Sequence, residues 1–210
     1  MSRTRIKFCG LTRAEDVDAA VELGVDAIGL VLVPGSRREV DLAAATRLRA
    51  RIPATVVTVL LFQDASADRV RKAIETVKPD LLQFHGSESA EFCEPFGLPY
   101  LFAVAMGSES ADVAATARRH PRAAGILLDS HRKGGMGGQG AVFDWSAIPG
   151  SLQRPLVLAG GLNADNVGAA VSRIRPYAVD VSSGIESAPG IKDYAKMQAF
   201  IEEVRRVERG

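Results

Sequence analysis

Short apolar runs alternate with longer amphipathic segments along the chain, and this alternation restricts the possible folds more than any other feature. The runs are almost continuously apolar, as expected for parallel strands that are covered by helices. Eight runs of this kind occur in the 210 residues. They span residues 6–9, 27–32, 55–62, 81–85, 100–105, 125–129, 156–159 and 178–182.

The segments between the runs carry helix signals, with Gly24, Pro53, Pro79 and Pro176 placed where several of them would end. Helices are predicted over residues 14–23, 42–51, 67–77 and 192–208, with another that Asn163 caps and that ends near residue 174. Residues 143–148 allow only one or two helical turns. The remaining connections between strands, or returns, could be helices or loops. Strands and returns together predict an α/β fold, a single (β/α)8 TIM barrel domain over residues 1–210 with short loops.

A doubly wound open sheet is the alternative architecture. That fold would be expected to show a glycine-rich nucleotide fingerprint after its first strand. Cys9-Gly10-Leu11-Thr12 stands at this place and does not supply one. The strand count and the regular alternation therefore favour the closed barrel.

Composition argues against several classes of partner. A net charge of +1 supplies no field to steer nucleic acid or an anionic membrane, and 6% aromatic residues argue against a base-stacking surface. No stretch is long and apolar enough to span a bilayer, and the first strand follows residue 5 without a separate apolar segment. The two cysteines, Cys9 and Cys93, make no disulfide framework, which indicates a cytoplasmic protein.

Polar residues recur on one face of several predicted strands. Residues two apart on a strand share a face, about 6.6 Å apart. If Ile6, Phe8 and their counterparts on other strands pack outward against helices, the polar residues point into the barrel. Its upper layer, where active sites of this fold lie, then contains Cys9, His85, Asp129 and Ser182, above a layer of Lys7, Gln83 and Asp180.

Each of these side chains also has an ordinary structural explanation. A lone buried cysteine is more often an inert apolar group, Asp129 could cap the following loop, and His85 could be a structural histidine. Their combination favours function, because a barrel interior does not normally collect ionisable groups at one end without a use for them. Cys9 also shares its face with Lys7, whose ammonium would favour the thiolate.

Small residues follow the last strands and predict a phosphate site. Gly160 and Gly161 come after the seventh run, and Ser183 and Gly184 after the eighth, where this fold often binds phosphate. Gly138 belongs to a third glycine-rich segment that follows the sixth run. A phosphorylated small molecule is therefore the expected ligand.

Two arginines follow the second run and offer a cation for a substrate carboxylate. A guanidinium at Arg38 or Arg37 could bind a carboxylate through two hydrogen bonds. A solvated surface pair is the simpler explanation for the same residues.

The segment 7–12 closely resembles the opening motif of phosphoribosylanthranilate isomerases, barrel enzymes of tryptophan biosynthesis. Segments that follow in the family's order resemble its later motifs, at residues 82–86, 127–130, 138–140, 143–145, 158–162 and 179–186. The resemblance implies an Amadori rearrangement of N-(5′-phosphoribosyl)anthranilate to 1-(2-carboxyphenylamino)-1-deoxyribulose 5-phosphate, without a cofactor or metal. It also implies a monomer or a homodimer that binds neither nucleic acid nor membrane.

The resemblance assigns roles residue by residue. Cys9 is the general base and Asp129 the general acid. Arg38 matches the residue that holds the anthranilate carboxylate, and His85 and Asp180 match residues that line the site. The phosphate-binding set comprises Gly138, Gly160, Gly161, Ser183 and Gly184.

The chain departs from the family pattern after Arg38, where Glu39 replaces an aromatic residue and could compete for the arginine or hold it. Ala141-Val142 also replaces a Lys-Thr pair. A histidine-pathway sugar isomerase is the nearest rival, but that family resembles a barrel with an aspartate base and two phosphate sites. Indole-glycerol phosphate synthase is a weaker alternative, because its lysine-centred strand motifs are missing here. An alternative of another class is a non-catalytic barrel, which would bind phosphorylated metabolites without turnover.

Overall fold

Eight parallel strands close into a barrel in which each strand pairs with the next and β8 pairs with β1. The computed structural model describes residues 3–108, 111–131, 143–150, 152 and 154–209. The prediction of a closed (β/α)8 barrel is confirmed. The strands are β1 (Arg5–Cys9), β2 (Ala27–Val31), β3 (Val57–Phe62), β4 (Leu81–Phe84), β5 (Tyr100–Ala105), β6 (Gly125–Asp129), β7 (Leu156–Leu158) and β8 (Ala178–Val181).

The helices lie outside the barrel and begin at polar residues. The side chains of Asp41, Ser66, Ser89, Asp112 and Asn163 each accept a hydrogen bond from the first turn of the helix that follows. Within the described residues, no helix meets the length and hydropathy that a membrane span requires. The helices are α1 (Ala14–Leu23), α2 (Leu42–Arg49), α3 (Ala67–Val77), α4 (Ala90–Cys93), α5 (Val113–Arg119), α6 (Ala164–Ile174) and α7 (Tyr194–Arg209).

The returns that the sequence left open are short. α4 and α5 follow β4 and β5, and a 3₁₀ turn at Trp145–Ala147 precedes β7. A second 3₁₀ turn at Ser183–Ile185 follows β8. Short returns are consistent with a chain near the lower length limit for this fold.

A small antiparallel hairpin follows β8, and the sequence analysis did not predict it. β9 (Glu186–Ala188) pairs with β10 (Ile191–Lys192) across a turn in which Gly190 has φ of +81°. The predicted helix start at Lys192 was therefore wrong. Lys192 belongs to the hairpin because its side chain is buried and bound at the barrel mouth, and α7 begins at Tyr194.

The apolar residues divide between the two faces of the barrel wall. The outward-facing residues of β1, β4 and β8 pack with the helices in one large core. Phe8 is fully buried and meets Phe200 of α7 edge to face at 6.1 Å. Burial of one such side chain stabilises the fold by about 1.5–3 kcal/mol. The opposite face of each strand is thereby left to line the barrel interior, as the alternation predicted.

Candidate active site

Cys9 is the last residue of β1, and its thiol lies in the upper end of the barrel with 6% of the residue exposed. The strand register pairs Cys9 with Gly29 of β2. A Cβ atom at Gly29 would lie 2.7 Å from the Cys9 Sγ and 3.0 Å from the Lys7 Nζ. Gly29 therefore provides the space that the thiol and the ammonium group occupy.

A buried ion pair lies one layer below the thiol. Lys7 Nζ donates a 3.0 Å hydrogen bond to Oδ1 of Asp180 on β8. Burial would lower the pKa of Lys7, but Asp180 and Cys9 raise it above its usual value, so the side chain stays charged. Burial raises the pKa of the Cys9 thiol, and the opposing effect of Lys7 is smaller. The expected thiolate-favouring influence of Lys7 is present, but burial outweighs it.

Asp129 ends β6 and presents its carboxylate to the same space, with 7% of the residue exposed. Its Oδ2 lies 3.5 Å from Nδ1 of His131, and its Oδ1 has no hydrogen-bond partner among the described residues. Burial would raise the pKa of Asp129. The polar contact with His131 and the nearby His85 outweigh burial and hold that pKa below its usual value.

His85 follows β4 and forms a hydrogen bond with the side chain of Gln83 through its Nε2. Its ring stacks on that of His131, with centroids 5.3 Å apart and planes 26° apart. Burial lowers the pKa of His85 to about 3, so the imidazole is neutral at physiological pH. A neutral ring can position a substrate hydroxyl without adding a charge.

Arg38 is held by a carboxylate, but Glu39 is not the residue that holds it. Glu186 of β9 accepts hydrogen bonds of 2.7 Å from both Nε and Nη2 of Arg38. Glu39 instead accepts a hydrogen bond from Gly35 N and lies 3.8 Å from Arg69. The predicted competition for Arg38 thus arises from a residue 148 positions away in sequence.

Lys192 connects this arginine pair to the barrel wall. Its Nζ donates hydrogen bonds of 2.8 Å to the carbonyl oxygen of Cys9, 3.0 Å to that of Ser182 and 2.8 Å to Glu186. Burial lowers the pKa of Lys192. The hairpin therefore fixes the ends of β1 and β8, and with them the backbone of the thiol residue.

The loop after β7 has the glycine conformation that the sequence suggested. Gly160 and Gly161 have φ of +82° and +65°, a region that other residues rarely adopt. Asn166 of α6 holds this loop, because its side chain donates to Gly161 O at 2.9 Å and accepts from Asn163 N at 2.9 Å. Two consecutive glycines in this conformation allow the backbone to approach a bound anion closely.

The remaining predicted phosphate residues differ in position. Ser183 starts the 3₁₀ turn after β8 and lines the cavity. Gly184 packs against the neighbouring loop, where a Cβ atom would lie 1.9 Å from the carbonyl oxygen of Leu162. Gly138 lies outside the described residues.

One cavity at the upper end of the barrel joins most of these groups. It holds about 710 Å³ of empty space, counted out to its open mouth. Sequence reasoning missed His131, Glu186 and Lys192, which contact Asp129, Arg38 and Cys9 from a loop and a hairpin without strand periodicity. The predicted residues that line the cavity are Cys9, Arg38, His85, Asp129, Gly160, Gly161, Asp180 and Ser183.

Comparison with known proteins agrees with the motifs. A family model described as N-(5′-phosphoribosyl)anthranilate (PRA) isomerase matches residues 6–203. The chain belongs to this isomerase family. Its relatives include the N-(5′-phosphoribosyl)anthranilate isomerase of Stenotrophomonas maltophilia strain R551-3, which is 53% identical over 207 residues, covering 98% of this chain and 95% of the relative.

Solved structures of PRA isomerases share the architecture. The enzyme of Thermotoga maritima is 35% identical and superposes with a TM-score of 0.87, over 97% of this chain and 99% of that one. A PRA isomerase in complex with reduced 1-(o-carboxyphenylamino)-1-deoxyribulose 5-phosphate is 34% identical, with a TM-score of 0.80 and coverage of 97% and 99%. The resemblance inferred from the motifs is confirmed.

Proposed function

We propose that this PRA isomerase family member converts N-(5′-phosphoribosyl)anthranilate to 1-(2-carboxyphenylamino)-1-deoxyribulose 5-phosphate, with Asp129 as general acid and Cys9 as general base. One observation carries the proposal. A thiol and a carboxylate from β1 and β6 line the same cavity as the glycine loop after β7. An acid, a base and an anion cradle are the parts that a phosphosugar isomerisation requires.

The rearrangement divides into two proton transfers. Asp129 gives its proton to the furanose ring oxygen as the bond between C1′ and that oxygen breaks, which leaves a protonated Schiff base. Cys9 then takes the proton from C2′, and the electrons of that C–H bond neutralise the iminium nitrogen to form an enolamine. The enolamine tautomerises to the ketone. No external oxidant or reductant is consumed.

The protonation states in the empty site are opposite to those that the reaction needs. The pKa of Cys9 is raised by burial and that of Asp129 is lowered, so the resting forms are thiol and carboxylate. The substrate brings a phosphate and a carboxylate, and it displaces water. Both changes favour the protonated form of Asp129. Substrate binding therefore prepares the acid in this proposal.

Arg38 binds the anthranilate carboxylate in this proposal, and Glu186 sets the orientation of its guanidinium plane. Arg38 is buried, whereas its neighbour Arg37 is exposed. Burial strengthens a charge-assisted hydrogen bond to an arriving carboxylate. In this proposal the phosphate binds against Gly160, Gly161 and Ser183, which line the same cavity.

We extend the proposal to the setting of the enzyme. Residues 1–210 act as one catalytic barrel domain, as a monomer or a homodimer, on a small phosphorylated molecule and without nucleic acid. Cys9 and Cys93 are both free and buried, which supports action in the reducing cytoplasm. Gly184 supports the phosphate loop by its packing against Leu162, and phosphate binding by Gly138 stays a prediction from the sequence.

Turnover of N-(5′-phosphoribosyl)anthranilate, followed by its fluorescence, tests the proposal. We expect Cys9→Ser and Asp129→Asn each to reduce kcat by about 10²–10⁴-fold, the usual range for an acid or a base. Cys93→Ser and Asp68→Asn are matched controls, because Cys93 is buried in α4 and Asp68 is exposed on α3. Near-normal rates in either site variant would remove that residue from the mechanism.

The same assay separates the rival functions. A non-catalytic barrel would bind the reduced product analogue without consuming substrate. A histidine-pathway isomerase would consume that pathway's phosphoribosyl substrate at a comparable or higher rate. Either result would contradict the proposed activity.

A further inference from the structure

Two imidazoles and one carboxylate converge at the edge of the cavity. Ligand atoms of His85, Asp129 and His131 all lie within 4.8 Å of one another. Nδ1 of His131 and Oδ2 of Asp129 lie 3.5 Å apart. Of these three groups, only the carboxylate takes part in the proposed proton transfers, and a substrate-positioning role for His85 does not account for His131 beside it.

Two atoms of this cluster are buried without a partner. Asp129 Oδ1 and His131 Nδ1 have no hydrogen-bond partner among the described residues, and the residues are only 7% and 6% exposed. A buried polar atom without a partner costs about 1–3 kcal/mol. Each of these atoms can offer a lone pair, and a cation bound between the two side chains would satisfy both residues.

We propose that His85, Asp129 and His131 bind a divalent transition-metal ion, with zinc the best fit, and that this ion inhibits the enzyme. Imidazole nitrogens with one carboxylate oxygen are a common zinc donor set, whereas Mg²⁺ and Ca²⁺ prefer oxygen ligands. In tetrahedral coordination with bonds of about 2.1 Å, two ligand atoms lie about 3.4 Å apart. The 3.5 Å between Asp129 and His131 matches that spacing.

Completion of the site needs a small movement of His85. Its ring must approach the other two ligands and release Gln83, whose Nε2 it contacts. His85 stacks on His131 with ring centroids 5.3 Å apart, so the movement must also turn a His85 nitrogen toward the other two ligands. A water molecule then takes the fourth coordination position.

Inhibition follows from the identity of the carboxylate, and this part rests on the proposed function. A metal bound to Asp129 occupies the oxygen that would carry the acidic proton. Substrate and metal therefore compete. The reaction itself uses no metal in this scheme, so a chelator restores the full rate.

The test uses Co²⁺ as a coloured substitute for zinc, added to the complete protein in a buffer without chelators or substrate. We expect one tetrahedral Co²⁺ absorption spectrum per chain, displaced by Zn²⁺. His131→Gln and His85→Gln should each weaken binding by about 10-fold or more. His120→Gln is the matched control, because it removes a histidine that stacks on Phe102 and does not belong to this cluster. Circular dichroism verifies that each variant is folded.

Cys9→Ser tests whether the thiol is a metal ligand. We expect this variant to leave the Co²⁺ spectrum unchanged. Failure of Co²⁺ to bind would overturn the site regardless of what the enzyme catalyses. Binding by His131→Gln and His85→Gln that is as tight as in the parent protein would overturn it as well. If Co²⁺ binds but the rate of substrate turnover does not change, the proposed inhibition is overturned. The acid role of Asp129 is then contradicted as well, because the metal would occupy its carboxylate. Competitive inhibition that a chelator reverses would support both parts.

Discussion

Lys7 Nζ and Asp180 Oδ1 lie 3.0 Å apart in the barrel interior, one strand layer below the Cys9 thiol. Both residues are buried, with 4% and 6% exposed. A pair of this kind places a positive and a negative charge near the thiol at once, so the two influences on Cys9 oppose each other. The charge that remains after one partner is removed should decide the reactivity of the thiol.

Removal of each partner should shift the pKa of Cys9 in opposite directions. Lys7 lowers this pKa and Asp180 raises it. Lys7→Met should therefore slow the alkylation of Cys9 by iodoacetamide at pH 8, and Asp180→Asn should accelerate it, each by several-fold. Mass spectrometry of the Cys9 peptide measures the rate, and Cys93, with a pKa raised by burial to about 12, is the unreactive internal reference.

The double variant Lys7→Met/Asp180→Asn separates this effect from damage to the fold. A single variant leaves one buried charge unpaired, which can cost about 3–5 kcal/mol, whereas the double variant leaves none. We expect its stability to recover and its alkylation rate to lie between those of the single variants. Shifts of the same sign in both single variants would contradict the electrostatic explanation.

The pH dependence of kcat/KM should be flat through neutrality. The active free enzyme has a thiolate at Cys9 and a proton on Asp129. Between the lowered pKa of Asp129 and the raised pKa of Cys9, the gain in thiolate with pH balances the loss of carboxylic acid. The alkaline limb should lie above about pH 8.5, the ordinary thiol value. An alkaline limb between about pH 6 and 8, roughly the range from an unperturbed histidine to an unperturbed thiol, would exclude Asp129 and Cys9 as the acid and the base.

Gly29→Ala should reduce kcat although Gly29 carries no functional group. The new methyl group would lie 2.7 Å from Cys9 Sγ, so the thiol must move. Displacement of a reacting group by about 1 Å can cost about 100-fold in rate. Gly150→Ala is the control, because within the described part of the chain no atom beyond its sequence neighbours lies within 4 Å of the Cβ position there. Equal steady-state kinetics for the two variants would show that the thiol position tolerates the change.

Much of the barrel was predictable because its strands are buried on both faces. That burial requires unbroken apolar runs, and the few polar residues within them, such as Lys7, Gln83 and Asp180, stand out for this reason. Cys9 and Asp129 were recognisable because each ends such a run. Strand position alone thus indicated where chemistry could occur.

Contacts between distant loops were not predictable in the same way. Arg38 binds Glu186 across 148 positions, and the nearer Glu39 was the obvious candidate from sequence. Only the closure of the barrel brings the hairpin next to the loop after β2. His131 follows Asp129 by two residues but lies in a loop, where no periodicity predicts the direction of a side chain.

Glu186→Gln should raise KM for the substrate by about 10-fold, equivalent to about 1.4 kcal/mol, with a smaller change in kcat. The charge that aligns the Arg38 guanidinium is lost, although the shape of the side chain is kept. Lys192 can then release its proton more readily, because burial already lowers its pKa, whereas the Arg38 guanidinium stays charged and keeps its attraction for the substrate carboxylate. Glu39→Gln provides the control, and an equal KM in both variants would contradict the role of Glu186.

The free energy of unfolding should decrease as the pH is lowered through a range set by two buried histidines. Burial lowers the pKa of His120 to about 4 and that of His85 to about 3, while unfolded histidine titrates near 6.5. Because the unfolded state binds more protons, the two histidines cost no stability above pH 6.5. Below that pH the free energy of unfolding decreases by about 1.4 kcal/mol per pH unit for each histidine. Urea denaturation followed by circular dichroism at pH 7 and pH 5 measures the loss. His120→Gln should remove about half of the histidine contribution, since one of the two groups remains. An identical loss in this variant and in the parent protein would assign the pH dependence to other groups.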